Sequence, residues 1–176
     1  GHGTHCSGTI AASGNDEHPH VGVAFNATIL PCKVGDYGMP HSAIIAAVEF
    51  CVAEGVKIAN CSYGGFFPSQ ASYDAYAAAG TEGMMFLAAA GNDANDNDSL
   101  PAYPCSYDLE CIVSVAATDR NDDITGFSNY GETAVDLGAP GLEIFSCTSS
   151  NDQSYESWAG TSMAAPHVSG VVALMR

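Results

Sequence analysis

Hydrophobic residues fall into two kinds of run along this chain. Residues 42–53 carry Ile44, Ile45, Val48, Cys51 and Val52 at the three-and-four spacing of a helix that buries one stripe, with Ser42 as its expected N-cap and Gly55 as its stop. Residues 56–61 follow as a short apolar run, which reads as a buried strand. Residues 71–79 form an alanine-rich helical stretch ending at Gly80, and residues 6–12 another helix behind a Gly-His-Gly-Thr-His run. Residues 84–90 and 112–117 are uniformly apolar, as strands covered on both faces should be. Residues 28–34, 135–137 and 144–148 are shorter strand candidates, and residues 162–175 a final apolar helix. Strand and helix alternate without internal repeat or linker. That order predicts βαβ units and an α/β fold, a three-layer sandwich with a mostly parallel central sheet and helices on both faces.

In such a sheet the chemistry gathers beyond the carboxyl ends of the strands. Small-residue clusters stand there: Ser62-Tyr63-Gly64-Gly65 after one strand and Gly91-Asn92-Asp93 after the next, while Gly160-Thr161-Ser162 precedes the last helix. The chain has 176 residues, 47% of them hydrophobic, which fits one globular domain with a sizeable core. No apolar stretch is long enough to span a bilayer. Twenty acidic residues against four Lys and Arg give a formal charge of −16. Such a surface repels phosphate backbones and anionic lipid, so neither a nucleic acid nor a membrane is an expected partner. Seven cysteines point to an oxidising, secretory compartment, and Cys105 with Cys111 is the expected disulfide pair.

Three residues carry candidate chemistry, each with a blander alternative that wins when it stands alone. Ser162, at the mouth of a helix, is a nucleophile beside unpaired N–H groups, or an N-cap. His2 is a general base, or a structural or metal-binding member of the His2-x-x-His5 pair. Asn92, at a strand end, is an oxyanion donor, or a turn residue.

Together, and in this order, the blocks that hold them resemble the subtilisin-like serine proteases. Those blocks are Gly1-His2-Gly3-Thr4-His5-Cys6-Ser7-Gly8-Thr9, Ala88-Ala89-Ala90-Gly91-Asn92 and Gly160-Thr161-Ser162-Met163-Ala164-Ala165-Pro166-His167-Val168-Ser169-Gly170. Asn60-Cys61-Ser62-Tyr63-Gly64-Gly65, Phe127-Ser128-Asn129-Tyr130-Gly131 and Ala139-Pro140-Gly141 agree, so the resemblance covers essentially the whole chain. The nucleophile block lacks the second glycine of a G-x-S-x-G elbow, which separates it from the α/β-hydrolases. The resemblance implies a serine endopeptidase in which Ser162 attacks the peptide carbonyl, His2 moves the proton, and Asn92 with the Ser162 N–H holds the oxyanion. It also implies that Ser62, Tyr63, Gly64, Ala89, Ala90 and Gly91 line the P1 pocket, with Ala102 near its base and Asp93 at its rim. Tyr37, Gly38 and Met39 would form an edge strand pairing with the substrate backbone. Cys6 is similar to a buried thiol of the proteinase K branch. Without the buried acidic pair of the kexin branch, a broad preference for large apolar P1 residues is expected. Polypeptide substrates and the enzyme's own prosegment are the implied partners of a secreted monomer.

The resemblance further implies an acidic triad residue and two sheet strands that precede His2 in the family. The expectation is therefore a partial catalytic domain, residues 1–176, that alone would neither fold well nor cleave. No cofactor is expected for catalysis. The loop holding Asn15, Asp16, Glu17, His18 and His20 reads as a surface loop; because it replaces a calcium loop in many relatives, a structural calcium is the alternative, though the run offers few of the oxygen ligands calcium needs. Asp93, Asp96 and Asp98 read as a solvated loop. Of the sequons at Asn26, Asn60 and Asn97, the last is the expected glycosylation site and Asn60, on a buried strand, is expected to be unmodified. The rival reading is a pseudoprotease that keeps the fold as a binding domain; joint retention of His2, Asn92 and Ser162 argues against it.

Overall fold

The computed structural model describes residues 1–14, 17–36 and 38–176. Its elements run α1 (His2–Ala11), α2 (His41–Ala53), β1 (Ile58–Cys61), α3 (Gln70–Thr81), β2 (Met85–Ala89), β3 (Ile112–Thr118), β4 (Leu137–Pro140), β5 (Ile144–Cys147), β6 (Tyr155–Trp158) and α4 (Thr161–Leu174). The first four strands form one parallel sheet in the order β1-β2-β3-β4, and β5 with β6 makes a separate antiparallel ribbon.

Alternation along β2 explains the layers. Phe86 and Ala88 face a core with Ile44 and Val48 of α2 and Tyr76 and Ala79 of α3; Ala89 joins Val115, Ala117 and Ala139 against Ala164 and Ala165 of α4. The strand needs apolar residues on both faces because both are covered. On the α2–α3 side the core is filled by rings, with Tyr76 standing edge-on to Phe86 at 4.7 Å. On the α4 side, alanines that are fully buried let the helix lie close to the sheet.

Register decides where the site forms. Cys61 of β1 pairs with Ala88 of β2, and Ala88 with Ser114 of β3, so β1 and β2 end nearly level. Ser62 and the Ala90-Gly91-Asn92 turn therefore leave the sheet side by side.

Residues 28–34 depart from expectation. They form no strand, and none of the backbone groups of residues 28–36 hydrogen-bonds to the backbone of another described residue. A β-branched run becomes a strand only where a partner offers a ladder, and among the described residues β1 has β2 as its one neighbour in the sheet. Helix α1 begins at His2 rather than Cys6, and α2 begins at His41 with Pro40 as its N-cap in place of Ser42. The expected Cys105–Cys111 bridge is not formed. Cys105 donates to the carbonyls of Ala90 and Ala102, whereas Cys111 donates to that of Tyr76. Asn97, the expected glycosylation site, is 1% exposed, so its sequon is core rather than surface. No helix among the described residues is long and apolar enough to cross a membrane.

Candidate active site

The site begins with a proline. An α-helical carbonyl normally accepts the N–H four residues on, and four residues after Ser162 stands Pro166, which has none. The freed Ser162 carbonyl takes two other donors: Ser62 Oγ at 2.8 Å and Cys6 Sγ at 3.3 Å. Ser162 Oγ in turn donates to the Ser62 carbonyl at 3.2 Å. One substitution for the helical hydrogen bond thus ties α4 to the end of β1 and to α1. Cys6 is 3% exposed, and burial pushes its thiol up, so it is a packing group. Ser62 was expected as pocket lining; its role as an anchor of the serine's backbone was not, because nothing in the sequence links residues a hundred positions apart.

Asn92 is fixed from its oxygen end. Its Oδ1 accepts from the Thr161 N–H at 2.8 Å and from Thr161 Oγ1 at 3.0 Å. A backbone N–H can only donate, so this contact fixes which way the amide points. The Nδ2 group is left with no partner among the described residues, on an exposed side chain one residue's reach from Ser162. The Ser162 N–H lies in the first turn of α4, where helical N–H groups lack intrahelical acceptors. A Cβ placed on Gly160 would lie 3.7 Å from both Asn92 Nδ2 and the Ser162 nitrogen, so the two donors stand close together.

The turn carrying Asn92 is made by its neighbours. Gly91 has φ +114°, and a Cβ there would meet Asn129 Nδ2 at 2.3 Å; glycine is required for both conformation and space. Asn129 is fully buried and saturated. Its Oδ1 accepts from the N–H groups of Asp93 and Asn95, and its Nδ2 donates to the Ala90 carbonyl and to Asn97 Oδ1. Asn97 Nδ2 donates to the same Ala90 carbonyl at 2.9 Å. This pair of amides builds the loop, and both were missed as site-forming residues. The available signal was a polar amide next to Ser128 and Tyr130 in a block already noticed. Asp98, read as solvated, accepts from the N–H groups of Glu132, Thr133 and Ala134, which hold its carboxyl below the ordinary aspartate value, the Thr133 hydroxyl contributing most.

His2 is held differently. Helix geometry places His2 and Cys6 on one side of α1, four residues apart, and Cys6 touches the Ser162 carbonyl. The His2 ring is exposed, and no described residue hydrogen-bonds it. Partial desolvation, then the neighbouring His5, lower its pKa from the ordinary histidine value. His5 is fully buried and stacked on Trp158 at 4.6 Å, a packing role.

Among the expected pocket residues, Ala89, Ala90 and Ala102 are buried, Tyr63 and Gly91 are half-buried, and Gly38, Gly64, Met39 and Asp93 are exposed. Tyr37 lies outside the described residues, as do Asn15 and Asp16 of the loop for which calcium was the alternative reading. Gly65 pairs with Tyr103 through two backbone hydrogen bonds, which fixes the Ser62–Gly65 segment. A shallow cavity of about 180 Å³ brings Met39, Tyr63 and Gly64 together with His41, Ser72, Tyr76 and Tyr107, between α2 and α3. It does not include His2, Asn92 or Ser162, so it flanks the three residues rather than containing them.

A parallel α/β sheet with a serine at a helix mouth, an oriented amide beside it and a histidine-bearing helix against it defines a subtilisin-like architecture. The chain belongs to the subtilase family: the Peptidase_S8 (Subtilase family) profile matches residues 1–176. It is 40% identical over 187 aligned positions to Subtilisin-like protease 2 of Plasmodium falciparum, covering 99% of this chain and 13% of that protein. It is 37% identical to Thermitase of Thermoactinomyces vulgaris, covering 99% of this chain and 61% of the other. A protease of Pseudoalteromonas arctica superposes with a TM-score of 0.89 at 32% identity, over 99% of this chain and 57% of that one. A cold-adapted subtilisin-like serine proteinase superposes at 0.80 with 36% identity, over 99% and 60%. The chain thus spans less than two thirds of each of these proteins.

Proposed function

We propose that the protein is a serine endopeptidase in which Ser162 is the nucleophile, His2 the general base and acid, and Asn92 Nδ2 with the Ser162 N–H the oxyanion hole. The observation that carries this reading is the Asn92 amide, whose oxygen is bound to Thr161 while its donor end stays free beside Ser162. As Ser162 Oγ attacks the carbonyl carbon, its proton passes to His2. The carbonyl oxygen becomes an alkoxide between the two donors. Collapse of the intermediate expels the amine, which takes the proton from His2, and water then repeats the sequence on the acyl-enzyme. In this structure Ser162 Oγ points to the Ser62 carbonyl and not to His2. Base–nucleophile contacts commonly tighten only with substrate bound.

His2 needs a carboxylate on its far side to fix its tautomer, and we assign that role to an aspartate that precedes it in the protein. The substrate backbone lies along Gly38 and Met39, and P1 is broad with an apolar lean. A prosegment of the same protein and secretion complete the reading. The chemistry is carried by side chains and backbone N–H groups. A serine-directed fluorophosphonate applied to the folded protein is expected to label Ser162, and Ser162→Ala to abolish labelling. A folded protein that takes no label overturns the proposal and leaves a binding domain. A peptide-library cleavage profile tests the P1 assignment.

A further inference from the structure

Seven cysteines without a disulfide among them prompt the question of which ones face each other. Cys6, Cys105, Cys111 and Cys147 each donate to a backbone carbonyl, and Cys61 is buried beside Tyr63 and Tyr76. Cys32 and Cys51 are different: their sulfurs lie 3.6 Å apart, and both residues are half-buried. Cys32 sits in the stretch of residues 28–36, whose backbone has no hydrogen bonds to other described backbone groups, and Cys51 sits on α2. Val34 packs on the α2–α3 core, and an exposed Lys33–Asp36 ion pair adds little.

We propose that Cys32 and Cys51 form a disulfide that staples this stretch to α2. The bond closes a loop whose far end is Met39, Pro40 and His41, so it also fixes one wall of the cavity between α2 and α3. Rotation about χ1 and a small backbone shift bring contacting sulfurs to bonding distance, about 2.0 Å. The oxidant is a low-molecular-weight disulfide such as oxidised glutathione. Cys32 thiolate attacks it and one reduced thiol leaves. Cys51 thiolate then attacks the Cys32 sulfur and the second leaves. Two cysteines lose two electrons, the oxidant becomes two thiols, and the protons end on them. Burial, and next the neighbouring Cys32, push Cys51 up to about 12, which makes it the poorer first nucleophile; capping Cys32 removes that neighbour's share. The bond stands independently of the protease reading.

The test equilibrates the folded protein with oxidised or reduced glutathione, alkylates free thiols, and digests with trypsin without reduction. Cleavage after Lys33 and Lys57 separates the two cysteines. The oxidised sample should therefore yield the peptide ending at Lys33 joined to residues 34–57, with the link lost in Cys32→Ser and in Cys51→Ser. Melting temperature should fall by roughly 5 °C or more on reduction or in either variant. Both cysteines remaining alkylated in oxidised protein, or either one bridged to another cysteine, overturns the proposal. A bridge that forms without changing the melting temperature overturns the staple. Failure of fluorophosphonate labelling with the bridge intact strikes the protease reading alone.

Discussion

Ser162 with Asn92 and His2 belong to two differently built halves of one site. On the first half the orienting contacts come from the chain's own backbone, hydroxyl, thiol and amide groups: Thr161 holds Asn92, Ser62 and Cys6 hold the serine carbonyl, and Asn129 holds the turn. On the second half a helix places the histidine, but no described residue orients its ring. A parallel sheet positions whatever leaves its strand ends, and it does so for the nucleophile and the oxyanion donor. It does nothing for a ring that projects from a helix N-terminus into solvent; that group needs a partner of its own.

The largest effect tests whether the halves work as one. Ser162→Ala and His2→Ala should each lower kcat by about 10⁶-fold, the scale found in a subtilisin, and the double variant should be no worse than either. Additive losses in kcat measured on one peptide substrate would break the unit apart. Next comes the first half alone. Asn92→Ala should lower kcat by about 10²–10³-fold, a range also taken from a subtilisin, with KM little changed. Asn92→Asp keeps the acceptor for Thr161 but loses the donor. It should match or exceed that loss of kcat while melting nearer the parent than Asn92→Ala does. An active Asn92→Asp enzyme would mean that the side chain serves only to hold Thr161.

A smaller effect separates building the turn from doing chemistry. Asn129→Ala removes four hydrogen bonds and strands the N–H groups of Asp93 and Asn95. Losing these bonds from a fully buried side chain should destabilise the protein by about 2–3 kcal/mol, a fall in melting temperature of roughly 5–10 °C by calorimetry. A variant that melts like the parent would show that the loop is held by something else.

The legible part of the site is the part encoded locally. The apolar runs at 84–90 and 112–117 became β2 and β3 with shifts of a residue, because strands covered on both faces need little context. The helix mouth at Ser162 was readable for the same reason. Residues 28–34 have the composition of a strand but not its ladder, since pairing is a property of two segments. Strand β6 went unseen because Tyr155–Trp158 is only four residues long and, with Glu156 and Ser157 side by side between its two rings, lacks the alternation of a strand amid Asp, Gln and Ser. Asn97 and Cys105 were misread together. A sequon and a nearby pair of cysteines suggest a surface, yet Cys105 and Asn97 meet inside the core at 3.8 Å, on the carbonyl of Ala90. The three residues proposed for chemistry were picked out by order along the chain, whereas Thr161, Asn129 and Ser62, which hold Ser162 and Asn92, act through contacts that no spacing reveals.

The smallest effect concerns the second half, and its sign matters more than its size. A general base must be neutral, so kcat/KM falls as pH drops through the His2 pKa of the free enzyme. The described surroundings lower that value, by desolvation first and by His5 next, which alone would put the acid limb below the ordinary histidine value of about 6.5. A carboxylate hydrogen-bonded to the ring acts in the opposite direction, favouring the imidazolium by about one to three pH units. With the proposed aspartate in place, the limb should therefore have its midpoint at or above about 6.5, and replacing that aspartate with asparagine should move it downward while lowering kcat. A midpoint well below 6.5 in the unmodified protein would mean that His2 works with the surroundings seen here and nothing more, and the second half would then need no partner at all.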